Sequence, residues 1–127
     1  EGVRVGGNAV VAAGAVVELA GGTPPQSVEA LALALKSSLG LVCDPVAGLV
    51  EVPCVKRNAF GAVQALTAAE LALAGITSVI PADEVIGAMR QIGLALPRSL
   101  RETSEGGLAQ TPTALRIADR LAAKAQP

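Results

Sequence analysis

Residues 40–53 read GLVCDPVAGLVEVP and are followed at once by Cys54. No other stretch constrains the fold as tightly. Pro45 and Pro53 each remove a backbone donor and clash with the preceding turn, so no regular helix runs through the segment. Its apolar content is too high for a floppy surface loop. An irregular segment of this kind has to satisfy its own backbone polar groups, and such segments concentrate functional residues. The sequence on both sides carries helical pattern. The expected fold is therefore all-α, one helical domain over residues 1–127, with the irregular Cys/Pro/Gly segment crossing its centre.

The helical pattern is strong. Residues 8–20, NAVVAAGAVVELA, are apolar nearly all round apart from Asn8 and Glu18, which predicts a helix buried on all sides. Gly21 and Gly22 stop it. Thr23 is placed to cap a second helix, with Pro24 at its first position and Gln26 at the capping-box spacing. That helix runs to about Ser38, with Val28, Leu31 and Leu35 on one face. A third is predicted over 58–74, with Asn58 as its cap and Gly75 at its end. A fourth covers 81–95, where Asp83 and Glu84 suit the positive end of the helix dipole. Gly106-Gly107 marks a turn. Thr111 and Pro112 open a last helix with a stripe of Leu115, Ala118, Leu121 and Ala122. No internal repeat and no inter-domain linker breaks the pattern.

Composition narrows the chemistry. Ten Lys and Arg stand against eleven Asp and Glu, so no basic groove is available for phosphates. Phe60 is the sole aromatic, which excludes a stacking platform for bases. There is no histidine. Mechanisms that need a His base or a His metal ligand cannot be completed within the chain. No secretory signal pattern is present at the amino end, and the uncharged run 5–17 is shorter than the ~18 residues a spanning helix needs. A soluble, cytoplasmic chain is expected, binding neither nucleic acid nor membrane. An amino end that opens in mid-pattern suggests a piece of something longer.

Cys43 and Cys54 are the only soft ligands. Two free cysteines often do no more than fill a core. Structural zinc needs four ligands, commonly with close Cys pairs, and that pattern is absent. Here both thiols sit beside proline turns within the irregular segment. Neighbouring Pro and Gly fix a sulfur and let backbone N–H groups approach it, as iron–sulfur sites require. The ten-residue spacing alone does not identify such a site.

The residues themselves are more specific. Residues 39–58, LGLVCDPVAGLVEVPCVKRN, closely resemble the signature segment of the iron–sulfur-dependent L-serine dehydratases, in the alpha chain. The resemblance continues through 59–61, in ITSVIPADEVIGAM at 76–89, and in LRETSEGGLAQTPT at 100–113. This last segment looks like the carboxy-terminal end of the two-subunit form.

The resemblance implies an all-α piece from the carboxy-terminal part of an enzyme that converts L-serine to pyruvate and ammonia without pyridoxal phosphate. It implies a [4Fe–4S] cluster held by three cysteines, two of them Cys43 and Cys54. The third is expected upstream of Glu1, since residues 1–8 contain none. The open iron would act as a Lewis acid on the serine hydroxyl. Asp44, Lys56 and Arg57 are candidate substrate contacts. The catalytic base is not identified. Relatives usually carry a histidine near Ser37, which this chain lacks. Arg101, Glu102 and Thr103 match the family's RET motif, whose plainest reading is a salt-bridged turn supporting Gly106-Gly107. The expected partners are L-serine and a beta chain or a fused equivalent, in an oligomer. Two other readings stay open: a catalytically inactive or subunit-interaction domain, and a hydro-lyase acting on threonine or another hydroxy acid.

Overall fold

The computed structural model describes the backbone of residues 4–125 and the side chains of residues 12–125. Five helices follow one another: α1 (Arg4–Leu19), α2 (Pro24–Lys36), α3 (Cys54–Leu73), α4 (Ala82–Ala95) and α5 (Pro112–Ala125). Short 3-10 turns at Val46–Gly48, Arg98–Leu100 and Gly107–Gln110 lie between them. Among the described residues the only pairing of extended backbone is a single parallel bridge between Cys43 and Arg101. The all-α expectation holds, and the irregular segment lies between α2 and α3 as predicted.

Helix α2 is the hub, in contact with α1, α3 and α4. That position explains its burial: Ala30, Ala32, Leu33, Ala34 and Leu35 are all covered, more than one face of a helix. Helix α3 presents Ala65, Ala68, Ala69 and Ala72 at helical spacing. Helix α1 adds Ala13 and Val17, and α4 adds Ala82 and Val85. Alanine occupies most of the contact points, which is how a chain with one aromatic builds a core. No described helix is long and apolar enough to cross a membrane.

Several expectations need correction. Over its described residues helix α1 is not buried on all sides, because it packs mainly on α2 and α3. Ala13 and Val17 are covered while Ala15, Glu18 and Leu19 face solvent. On α2, Val28 lies outside the core at 52% exposure. The α5 stripe is largely uncovered: Ala114 is buried, but Leu115 and Leu121 are exposed. Only the turns at 46–48 and 107–110 pack substantially on α5.

The caps of α2 and α5 form as read. Thr23 and Gln26 complete both halves of a capping box, and Thr111 Oγ1 accepts the Ala114 N–H at 3.4 Å. Helix α3 starts earlier than expected, at Cys54. The Pro53 carbonyl accepts the Arg57 N–H at 2.9 Å, so Asn58 is a helix residue and not a cap. Proline at the N-cap loses nothing, since the amide it lacks would have had no partner within the helix. The Val52–Pro53 peptide bond is cis.

Candidate functional site

The irregular segment folds into a tight knot anchored from three directions. The Val46 N–H donates to the Val52 carbonyl at 2.9 Å, and the Val55 N–H to the Val50 carbonyl at 3.0 Å. These bonds fold 46–52 back on itself and feed the chain into α3. The Ser104 hydroxyl donates to the Pro45 carbonyl at 2.6 Å and accepts the Gly48 N–H at 2.9 Å. Ser104 thus ties the Pro45 carbonyl and the Gly48 N–H of the knot to the segment around residues 98–110.

Asp44 is the centre of the knot. It is 1% exposed, and both carboxylate oxygens are engaged. Oδ1 lies 2.7 Å from Arg57 Nη1, and Oδ2 accepts the Leu108 N–H at 2.6 Å. Arg57 Nη1 also donates to the Val42 carbonyl at 2.7 Å. The approach of Leu108 depends on Gly107, whose φ is +59°. A side chain there would run into Asp44, with a Cβ placed 2.9 Å from the Asp44 Cβ.

This hub sets the two cysteines side by side. Cys43 is fixed through its backbone: its N–H donates to the Leu100 carbonyl at 3.0 Å, and its carbonyl accepts the Thr103 N–H at 3.3 Å. Cys54 is the first residue of α3. Both thiols are free, half-buried and neighbours of each other. They line one pocket of about 410 Å³ together with Asn58 and Glu102, and Pro45, Val50 and Val55 form its apolar wall. Burial pushes the Cys43 thiol above its ordinary pKa, and the nearby Cys54 and the Glu102 carboxylate push the same way. The Glu102 N–H acts in the opposite sense, favouring the thiolate.

The three candidate substrate contacts lie outside this lining. Asp44, Lys56 and Arg57 do not line the pocket. Asp44 and Arg57 are spent on each other beneath it, and Lys56 Nζ reaches the Glu51 carbonyl at 3.2 Å on the surface. Two basic residues in the first turn of α3 oppose its dipole, and for Arg57 the compensating anion is Asp44. Glu102 is the pocket residue that the sequence undersold. The expected salt-bridged turn does not involve it: the ion pair in that segment joins Arg98 to Glu105 at 3.7 Å. The signal for Glu102 is three-dimensional, because only the pairing of Cys43 with Arg101 carries it to the cysteines.

The donor set suits a soft metal group in part. Two adjacent thiols at a half-buried pocket are fit ligands for iron–sulfur chemistry. Among the described residues no third His, Cys, Asp or Glu joins them to complete a metal site.

Known proteins resemble the chain closely. It is 67% identical over 110 residues to the probable L-serine dehydratase alpha chain of Bacillus subtilis, covering 87% of this chain and 37% of that protein. The probable L-serine dehydratase alpha chain of Latilactobacillus sakei is 63% identical over 114 residues, covering 90% of this chain and 54% of the relative. That of Peptoniphilus asaccharolyticus is 47% identical over 112 residues, 88% of this chain and 38% of the relative. The chain thus spans about half, or less, of these relatives. The family model described as serine dehydratase alpha chain matches residues 2–109, which include the cysteine pocket and the whole Asp44 knot, and the chain belongs to that family.

Proposed function

We propose that the chain is the cysteine-bearing part of an L-serine dehydratase, a lyase that turns L-serine into pyruvate and ammonia without pyridoxal phosphate. The observation that carries this reading is the meeting of Cys43 and Cys54 in one pocket. The names of the relatives support the substrate. The "alpha chain" in those names supports a partner beta chain, or a fused equivalent.

Cys43 and Cys54 would hold a [4Fe–4S] cluster as two of its ligands, with a third cysteine from outside residues 1–127, upstream of Glu1. When bound, such a cluster with an open iron supplies a Lewis acid for the departing hydroxyl group. That role suits a chain without histidine, since no imidazole is needed to activate the leaving group. The chain's own part is preorganisation. The Asp44–Arg57 pair fixes the backbone just before and after Cys43, and the Cys43–Arg101 bridge holds its sulfur at the pocket. Cys54 stands at the amino end of α3, where the helix dipole favours an anionic group. Pro45, Val50 and Val55 limit water around the reacting centre.

The test is anaerobic iron–sulfur reconstitution of the full-length protein with its partner chain, beside its Cys43→Ala variant. The wild type should gain the visible absorbance of thiolate-bound iron and should release pyruvate from L-serine. Cys43→Ala should lose both. A variant that keeps cluster and deamination would sink the assignment. Turnover of L-threonine in preference to L-serine would move the chain to the related hydro-lyase reading.

A further inference from the structure

Glu102 is marked by two independent features. Apart from the thiols it is, among the described residues, the only ionisable side chain lining the Cys43–Cys54 pocket, and it is exposed there to an incoming molecule. Its backbone is also left-handed, with φ +58°. For a residue with a Cβ that conformation costs on the order of 1–2 kcal/mol.

The pairing register explains why the strain is held. Cys43 grips the Leu100 carbonyl with its N–H and the Thr103 N–H with its carbonyl, so Glu102 lies inside the clamp. Thr103 Oγ1 donates to the Ser99 carbonyl at 2.8 Å and closes the turn from the other side. A glycine would take this backbone without strain. The carboxylate is therefore not needed to make the turn, and the turn delivers it to the cysteines.

We propose that Glu102 receives the α-ammonium group of the amino-acid substrate in this pocket. The inference rests on the reading of the pocket as a serine site. An ammonium group entering between Pro45, Val50 and Val55 loses water and needs a counter-charge. Asp44 cannot supply one, since it is buried with both oxygens taken. Asn58, the other polar wall residue, is neutral. A carboxylate carried on this clamped backbone would also set serine apart from a hydroxy acid without the amine, because the latter leaves Glu102 unpaired.

The experiment uses the cluster-loaded full-length enzyme with its partner chain, as wild type, Glu102→Gln and Glu102→Gly. Glu102→Gly keeps the turn without strain, so it serves as the folding-safe variant. Kinetics with L-serine are measured beside inhibition by 3-hydroxypropanoate, which has the hydroxyl and carboxylate but no ammonium. The expected result is a KM for L-serine raised tenfold or more in both variants. The inhibition constant of 3-hydroxypropanoate should stay the same or fall, since no carboxylate is left unpaired, and the cluster absorbance should stay within twofold. An unchanged KM overturns the inference, as does parallel weakening of serine and 3-hydroxypropanoate, which marks a structural role. A fall in kcat alone also overturns it, by assigning a different role. A wild type that does not act on L-serine removes the functional reading and this inference together, whereas the other failures leave that reading standing.

Discussion

One nitrogen of Arg57 bonds both Asp44 Oδ1 and the Val42 carbonyl, each at 2.7 Å, so the first turn of α3 grips the chain on either side of Cys43. The Asp44 side chain is 2% exposed and that of Arg57 22%. Removing one partner of such a pair leaves an uncompensated charge, at a cost of about 3–5 kcal/mol. Asp44→Ala should sit at the upper end, because the Leu108 N–H loses its acceptor as well. Arg57→Lys should recover part of the loss, since one ammonium does not reproduce the planar guanidinium. Chemical denaturation of Asp44→Ala, Arg57→Ala and Arg57→Lys checks the order, with Arg57→Lys expected to lose less than Arg57→Ala. Equal stability of Asp44→Ala and wild type would remove the knot from the account.

Gly107 and Gly48 form a matched pair for a second test. Both are left-handed, at φ +59° and +74°. A Cβ at Gly48 meets nothing within 4 Å, whereas at Gly107 it meets Asp44. Gly48→Ala should therefore cost only the backbone strain, about 1–2 kcal/mol. Gly107→Ala should cost clearly more, because the Asp44 carboxylate has to leave the Leu108 N–H. Thermal melts of the two variants give the comparison. If they lose the same stability, the close approach of Gly107 to Asp44 carries no energetic weight.

How much of this was legible in the sequence depends on the range of the forces involved. The caps at Thr23 and Thr111 are local, and residue types three apart announce them. The interruption at 40–53 is equally local, since proline acts on its own turn. The start of α3 was misplaced because Asn58 is a good cap by type, while the real start is set by the fold of 46–52. The closeness of Asp44 and Arg57 to the cysteines in sequence points to substrate contacts. Sequence proximity does not reveal that the two face each other. Glu102 became visible only when Cys43 paired with Arg101, far along the chain. The α5 stripe was legible as a pattern, but a pattern does not say what covers it.

Thr23 offers a test of the local rules alone. Its hydroxyl accepts the Gln26 N–H, and Gln26 Oε1 accepts the Thr23 N–H at 2.9 Å. Thr23→Ala should cost about 1 kcal/mol, the usual value of an N-cap. Gln26→Ala should cost more than its half of the box, because its amide also bonds the Ala72 carbonyl at 3.3 Å and ties α2 to the end of α3. Stability measured by urea titration decides it. A Gln26→Ala loss no greater than that of Thr23→Ala would discount the bond to α3.

The last prediction concerns Cys43 in the cluster-free protein. Burial is the main reason its pKa is raised, with Cys54 next and the Glu102 carboxylate after it. All three disfavour the thiolate, so the fold prefers the neutral thiol. The sign of the linkage follows. This preference stabilises the fold fully below the pKa of the thiol in the unfolded chain, and the contribution is lost as pH rises through the higher native pKa. Alkylation needs the thiolate. The pH profile of Cys43 labelling by iodoacetamide, read from the mass of its peptide, should therefore lie at higher pH in the native chain than in urea. Cys54→Ala should move the native profile back toward lower pH, because one of the three causes is removed. A native profile at or below that of the unfolded chain would contradict the buried setting of Cys43.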